Sequence, residues 1–321
     1  MKPARTKMQE RTVGEQGLMD TVPHIGTAPD FLIIGAAKAG TTSLHHYFDA
    51  HPGIHMSKVK ETRYFSAIGL PPSRWLNGHG RLFFDIPQKA EAYCAMFSGA
   101  APGALLGEAC PDYLASSIAS NAIAETLPDV KLIAILRHPV ERAYSNWSYR
   151  AGLGTEDGTF GQAIEEDLSG QRDTWISGRI VHEGFYHAHL TRYLAHFPVE
   201  HLKVVLYEDL VTDGATLVSE LFRFLGVDPK VQTDTDTVHN PRSSQIVSRR
   251  PGRLAARLGS VTKLRRLASH LPPGLKDRLR GRQAPVAPMS AGERQHLLAL
   301  YRDDTLALQE MLGRDLSAWM R

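Results

Sequence analysis

The stretch from Asp30 to Ser43, DFLIIGAAKAGTTS, constrains this chain more than any other. Phe31, Leu32, Ile33 and Ile34 form a short apolar run that stops at Gly35, the pattern of a buried parallel strand. Ala36, Ala37, Lys38, Ala39 and Gly40 make a turn of small residues around one cation. Thr41, Thr42 and Ser43 then open a helical pattern carrying Leu44, Tyr47 and Phe48. Strand, tight turn and helix start together predict a cradle for an anion. The first N–H groups of a helix lack intrahelical partners, the helix dipole adds a favourable field, and small residues let the backbone approach closely. Lys38 adds a full charge, and the hydroxyls add donors. The competing reading, an ordinary strand-to-helix turn with a surface lysine, does not account for all these features occurring together.

A Walker A loop has four residues between its glycines and a lysine directly after the second. Gly35 and Gly40 have that separation, but position 41 is threonine and the lysine sits inside the loop at 38. A second strand-to-helix transition repeats the theme. Lys131 to Leu136, KLIAIL, is a near-continuous apolar strand ending at Arg137-His138-Pro139, and a helix follows with Pro139 in its first turn. Ser145 lies eight residues beyond Arg137, about two turns along that helix, so both side chains can grip one phosphate. Arginine offers a planar fork to phosphate oxygens. Leu105–Tyr113 and Leu202–Tyr207 read as further strands. The fold expected is α/β, a P-loop-like three-layer arrangement with a mostly parallel central sheet flanked by helices.

GAAKAGTTSL resembles the 5′-phosphosulfate loop of sulfotransferases that use 3′-phosphoadenosine-5′-phosphosulfate (PAPS) and release 3′,5′-bisphosphoadenosine (PAP). The likeness is to the heparan-sulfate and bacterial carbohydrate-type branch, over about Asp30 to Val227. It implies that Lys38, Ala39, Gly40, Thr41, Thr42 and Ser43 hold the 5′-phosphosulfate, and that Arg137 and Ser145 hold the 3′-phosphate. Arg242 and Ser243, in His-Asn-Pro-Arg-Ser, fit the loop that closes over the adenosine end. The family's catalytic carboxylate falls in a short segment after the cradle, which here is KVKETRYFS, making Glu61 the expected general base. Lys38 is expected to assist departure of the phosphate. Lys58, Lys60 and Arg63 flank Glu61 and favour its ionised form. All three can also attract an anionic acceptor, and Arg63 is a candidate for binding it. Gly107-Glu108-Ala109 and Tyr113 match a family segment beside the crevice, so Glu108 and Tyr113 are expected at the acceptor; some relatives have lysine where this chain has Ala109. His182 is a further pocket candidate. No metal is expected, since His182, His187, His189 and His196 lack a carboxylate or cysteine partner set. Arg142 reads as structural.

The remaining composition narrows the alternatives. A net charge of +3 argues against a general nucleic-acid binder. Two cysteines, Cys94 and Cys110, make no disulfide framework and fit a reduced, cytoplasmic setting. The first 29 residues are polar and broken by Gly and Pro, which reads as a flexible arm without signal peptide or membrane span, in a soluble bacterial protein. Residues 30–321 read as one domain with a basic helical region at about 242–282, a solvated face, a lid or a surface that binds an acidic membrane or polyanion. Ser290 with Glu293 forms a capping-box pattern ahead of a C-terminal helix. The acceptor is expected to be a hydroxyl or amine on a sugar or natural product. Two other classes compete: a P-loop kinase or NTPase, disfavoured by the displaced lysine, and a non-catalytic PAP- or polyanion-binding protein.

Overall fold

Four apolar runs and one short edge segment build the sheet. They are β1 (Phe31–Gly35), β2 (Ile54–Met56), β3 (Leu105–Ala109), β4 (Lys131–Leu136) and β5 (Leu202–Leu206). The order is β2-β3-β1-β4-β5 and every pairing is parallel. This computed structural model describes residues 28–69, 87, 89–152, 155–156, 158–172, 178–235 and 287–321, with the backbone of short strands at 246–248 and 283–285. The proposed arm therefore lies outside the described residues except for positions 28–29. The basic region at 242–282 lies outside them except for the strand at 246–248.

Parallel strands need crossovers, and these are helical. α1 (Thr41–Asp49) returns the chain from β1 to β2. Two short helices, α2 (Tyr64–Ala67) and α3 (Ala90–Cys94), lie between β2 and β3, and α4 (Ser117–Thr126) leads into β4. After β4 come α5 (Pro139–Gly152), α6 (Phe160–Leu168) and α7 (Tyr186–Leu194). After β5 come α8 (Tyr207–Thr212) and α9 (Gly214–Leu225), and finally α10 (Ala291–Leu312). The Ser290–Glu293 capping box is formed, each partner satisfying the other's backbone N–H. Among the described residues no helix is long and apolar enough to cross a membrane.

β1 is buried along its whole length because both faces are covered by helices. Phe31, Leu32, Ile33 and Ile34 are fully buried, and each such side chain contributes about 1.5–3 kcal/mol relative to exposure. A second apolar cluster joins α5, α6 and α10 through Val140, Trp147, Phe160, Leu297 and Tyr301. It packs α5 against α6 and α10. The strand order reverses direction around β1, and the crevice at the carboxyl ends beside such a switch point is where open α/β sheets bind ligands.

Candidate active site

The loop after β1 is shaped by two glycines. A Cβ on Gly35 would stand 2.5 Å from the Leu114 Cβ, so the chain can pass there only without a side chain. Gly40 caps α1 with φ of 97°, in the left-handed region that favours glycine. The first helical bond of α1 runs from the Leu44 N–H to the Gly40 carbonyl, at 3.1 Å. The amides of Gly40, Thr41 and Thr42 therefore precede the helical ladder and have no intrahelical acceptor. The Ala39 amide behaves differently: it donates to the Ala36 carbonyl at 3.2 Å, and Ala39 is fully buried. Ala39 shapes the turn and does not present a donor as expected. Thr41 and Ser43 are buried, and Thr42 is half-buried.

Lys38 adopts φ of 66°, an uncommon conformation for a lysine that the tight loop imposes. Its ammonium lies over the ring of Tyr149 on α5, 4.0 Å from the centroid. Ser145 is one turn before Tyr149 on the same helical face, so the face of α5 carrying Ser145 is turned toward the loop. Arg137, at the end of β4, donates from Nη1 to the Lys38 carbonyl at 3.1 Å, and its guanidinium lies 4.9 Å from the centre of the Tyr207 ring. Its own carbonyl accepts from the Tyr186 hydroxyl at 2.8 Å. Burial pushes the Lys38 ammonium below its ordinary value. The Arg137 and Lys60 charges push the same way, and Glu61 opposes them. Lys38, Arg137, Lys60 and Glu61 thus feel one another across one site.

Glu61 follows β2 in a segment whose amide bonds the Ala109 carbonyl at the end of β3, at 3.0 Å. Both its carboxylate oxygens are covered, Oε1 by the Lys60 ammonium and Oε2 by Arg63 Nη2 at 2.7 Å. Burial pushes the carboxyl up, but the charges and hydrogen bonds of Lys60 and Arg63 outweigh it and hold Glu61 below the usual carboxylate range. Glu61 and Arg63 have φ of 63° and 58°, and residues other than glycine hold such angles only where the surroundings impose them.

Three expectations are corrected by the surroundings of this segment. Arg63 does not reach toward an acceptor. Its side chain is 5% exposed and locked to the Asp112 carboxylate at 2.7 Å, as well as to Glu61. It supports Glu61 from behind. Glu108 and Tyr113 are both fully buried, beneath the segment instead of lining a crevice. The Glu108 carboxylate accepts the hydroxyls of Thr62 at 2.6 Å, Tyr93 at 2.6 Å and Tyr113 at 2.9 Å. Burial raises the Glu108 carboxyl, and these hydroxyl donors oppose the shift. Strand alternation puts Glu108 on the inner face, and the aromatic layer of Tyr64, Phe65, Tyr93 and Tyr113 closes over it.

The His182 ring lies tilted against those of His189 and Phe185, with ring centres 5.2 and 6.4 Å away. Burial, with the charges of Arg179, Arg192 and Arg142, lowers its imidazole to about 4. Its amide and carbonyl are tied to Asp167 and His189, so it serves the junction ahead of α7. Arg142 is fully buried and bonds Glu183 and the Ile180 carbonyl, a structural role as expected. Arg242 and Ser243 lie outside the described residues.

With this geometry in view, the comparisons with known proteins decide the family. The model of the sulfotransferase domain matches residues 28–248. The chain belongs to the sulfotransferase family. It is similar to bifunctional heparan sulfate N-deacetylase/N-sulfotransferase 4 of Mus musculus, 27% identical over 309 residues, which cover 91% of this chain and 31% of that protein. It is also similar to heparan sulfate glucosamine 3-O-sulfotransferase 6 of Mus musculus, 27% identical, covering 89% of this chain and 72% of that one. The crystal structure of a sulfotransferase from Alicyclobacillus acidocaldarius superimposes with a TM-score of 0.70 at 26% identity, covering 92% of this chain and all of that one. The chain spans about a fifth to a third of the length of the N-deacetylase/N-sulfotransferases it matches (22% to 31%). In the structure Arg137 bonds the Lys38 carbonyl, and the Lys38 ammonium feels the charges of Arg137, Glu61 and Lys60. Two further residues join them: Lys60, whose ammonium lies on Glu61 Oε1, and Tyr149, which is detectable in the sequence only by its spacing from Ser145.

Proposed function

We propose that this protein transfers the sulfuryl group of PAPS to a hydroxyl or amine of a carbohydrate or natural-product acceptor. One observation carries the reading. A covered but ionised carboxylate, Glu61, and two cations, Lys38 and Arg137, meet around the N-terminus of α1 at the carboxyl ends of β1 and β4. The residues fit a donor carrying phosphates at two ends. The amides at the start of α1 with Lys38 suit the 5′-phosphosulfate, and Arg137 with Ser145 suits the 3′-phosphate. Bound there, PAPS supplies an activated sulfuryl group on a phosphate leaving group. Glu61 takes the proton from the acceptor's nucleophile. Lys38 and the amides of residues 40–42 stabilise negative charge as it develops. The relatives' names, heparan sulfate N-sulfotransferase and glucosamine 3-O-sulfotransferase, support a sugar acceptor. The cations around Glu61 support one that is itself anionic.

The test is PAP release from PAPS across a panel of amino and uronic sugars, with the Glu61→Gln variant alongside. Loss of the base is expected to lower turnover by about 100-fold or more, while PAP still binds. Undiminished turnover in Glu61→Gln would remove the base assignment, and preference for magnesium-ATP over PAPS would replace the reading by a kinase.

A further inference from the structure

The cover on Glu61 is asymmetric. Arg63 is immobilised by three contacts: Nη2 to Glu61 Oε2 at 2.7 Å, Nη1 to the Glu61 carbonyl at 2.9 Å, and Nε to Asp112 at 2.7 Å. Lys58 is occupied elsewhere, donating to the Ser98 hydroxyl at 2.7 Å. Lys60 has Glu61 Oε1 as its hydrogen-bond and ion-pair partner among the described residues, and its side chain is 20% exposed. Its charge also reaches Lys38 and His45 unfavourably, since it pushes both groups down. Lys60 is therefore the one cation over the carboxylate held by a single partly exposed ion pair amid other cations. A cation on each oxygen makes the carboxylate a weaker base, so releasing one of them strengthens it.

We infer that Lys60 is a removable cover on Glu61, and that the acceptor class of this enzyme is one whose own anionic group draws Lys60 away. The inference rests on the sulfotransferase reading and adds to it a selection rule. An acceptor carrying a carboxylate or sulfate next to its nucleophile competes with Glu61 for the Lys60 ammonium and uncovers Oε1. Glu61 Oε1 then takes the proton of the attacking hydroxyl or amine. The new bond to sulfur forms, and the sulfur–oxygen bond to the 5′-phosphate breaks with its electron pair going to the departing phosphate. Water brings no anion, so the cover stays in place and the donor is spared hydrolysis to PAP and sulfate. Lys60 acts through Glu61 and is a positioning residue, not a catalytic one.

The test compares wild type with Lys60→Met, Lys60→Gln and Lys60→Arg. With PAPS and no acceptor, PAP release should rise roughly fivefold in the Met and Gln variants, the factor of one partly exposed ion pair at the strong end of its range. Lys60→Arg, which restores the cation, should bring hydrolysis back down. With a glucuronate-bearing oligosaccharide and its carboxyl-reduced counterpart, the wild type should release PAP faster with the former, and Lys60→Met should level the two. A donor-free readout is infrared titration of the carboxylate band that Glu61→Gln deletes; in Lys60→Met it should titrate at higher pH. A PAP-induced thermal shift in each variant reports folding and an intact donor site. Hydrolysis and acceptor preference both unchanged in folded Lys60→Met would overturn the inference and leave the sulfotransferase reading standing. A wild type that neither binds PAP nor consumes PAPS would overturn both.

Discussion

Replacing Thr62 by valine tests how the buried layer holds the catalytic segment. Thr62 lies between Glu61 and Arg63, is 1% exposed, and ties the segment to the interior. Its hydroxyl donates to Glu108 Oε1 at 2.6 Å, lies 3.1 Å from the Tyr113 hydroxyl, and accepts the Tyr64 amide at 3.2 Å. Valine keeps the shape and removes the hydroxyl. A hydrogen bond to a carboxylate is worth about 1.5–3 kcal/mol, and a buried amide left without its acceptor costs about 1 kcal/mol or more. The expected loss is therefore about 2.5–4 kcal/mol, measured as a fall in the urea midpoint at constant slope. Activity should fall further than stability accounts for. Glu61 and Arg63 hold left-handed backbone angles that this anchor helps to enforce, and a shift near 1 Å in a catalytic group costs on the order of 100-fold. Thr62→Ser, which keeps the hydroxyl, should recover most of both losses. A stability change under about 0.5 kcal/mol, the range of unremarkable surface substitutions, with normal turnover in Thr62→Val would refute the anchoring argument.

Other outcomes follow from the same geometry. Gly35→Ala should destabilise the protein by about 1–3 kcal/mol or more, because the new Cβ meets Leu114 at 2.5 Å; calorimetry reads the fall in Tm. Arg137→Lys retains charge and loses the fork, so PAP affinity by titration calorimetry should drop about tenfold, ~1.4 kcal/mol. Tyr149→Leu removes the platform under Lys38 and should weaken PAP binding by about twofold to fivefold, with Tyr149→Phe near wild type. Glu61 must be ionised to accept a proton and is held below the usual carboxylate range by Lys60 and Arg63 against its burial. Turnover should therefore be lost on acidification only as pH falls below that range, and the acid limb should move up in Lys60→Met.

The two strand-to-helix transitions were legible because one residue class dominates each part. Phe31–Ile34 and Leu132–Leu136 can only be buried strands, and each is followed by a cation and a helix start. β2 was not legible: three residues, Ile54-His55-Met56, give too short a pattern, and their strand character comes from pairing with Leu105–Gly107. α8 is a single short helix, opened by Glu208 and Asp209 in its first turn. Glu108 was assigned to the ligand side from its place near a strand end. Its true surroundings depend on Thr62 and Tyr93, 46 and 15 residues away in sequence, which no local pattern carries. The left-handed angles of Lys38, Glu61 and Arg63 oppose the intrinsic preference of those residue types. Local conflict of that kind is where a sequence reading fails and a functional site is to be sought.

The central claim is that the cradle of Lys38, Arg137 and the start of α1 takes a 3′-phosphorylated adenine nucleotide. The most direct measurement is thermal stability of the purified protein with PAP against AMP, ADP and magnesium-ATP, since a ligand that binds only the folded state raises stability by mass action. The account predicts a large upward shift with PAP, little with AMP or ADP, and a shift much reduced in Arg137→Lys. A shift with magnesium-ATP and none with PAP would contradict it.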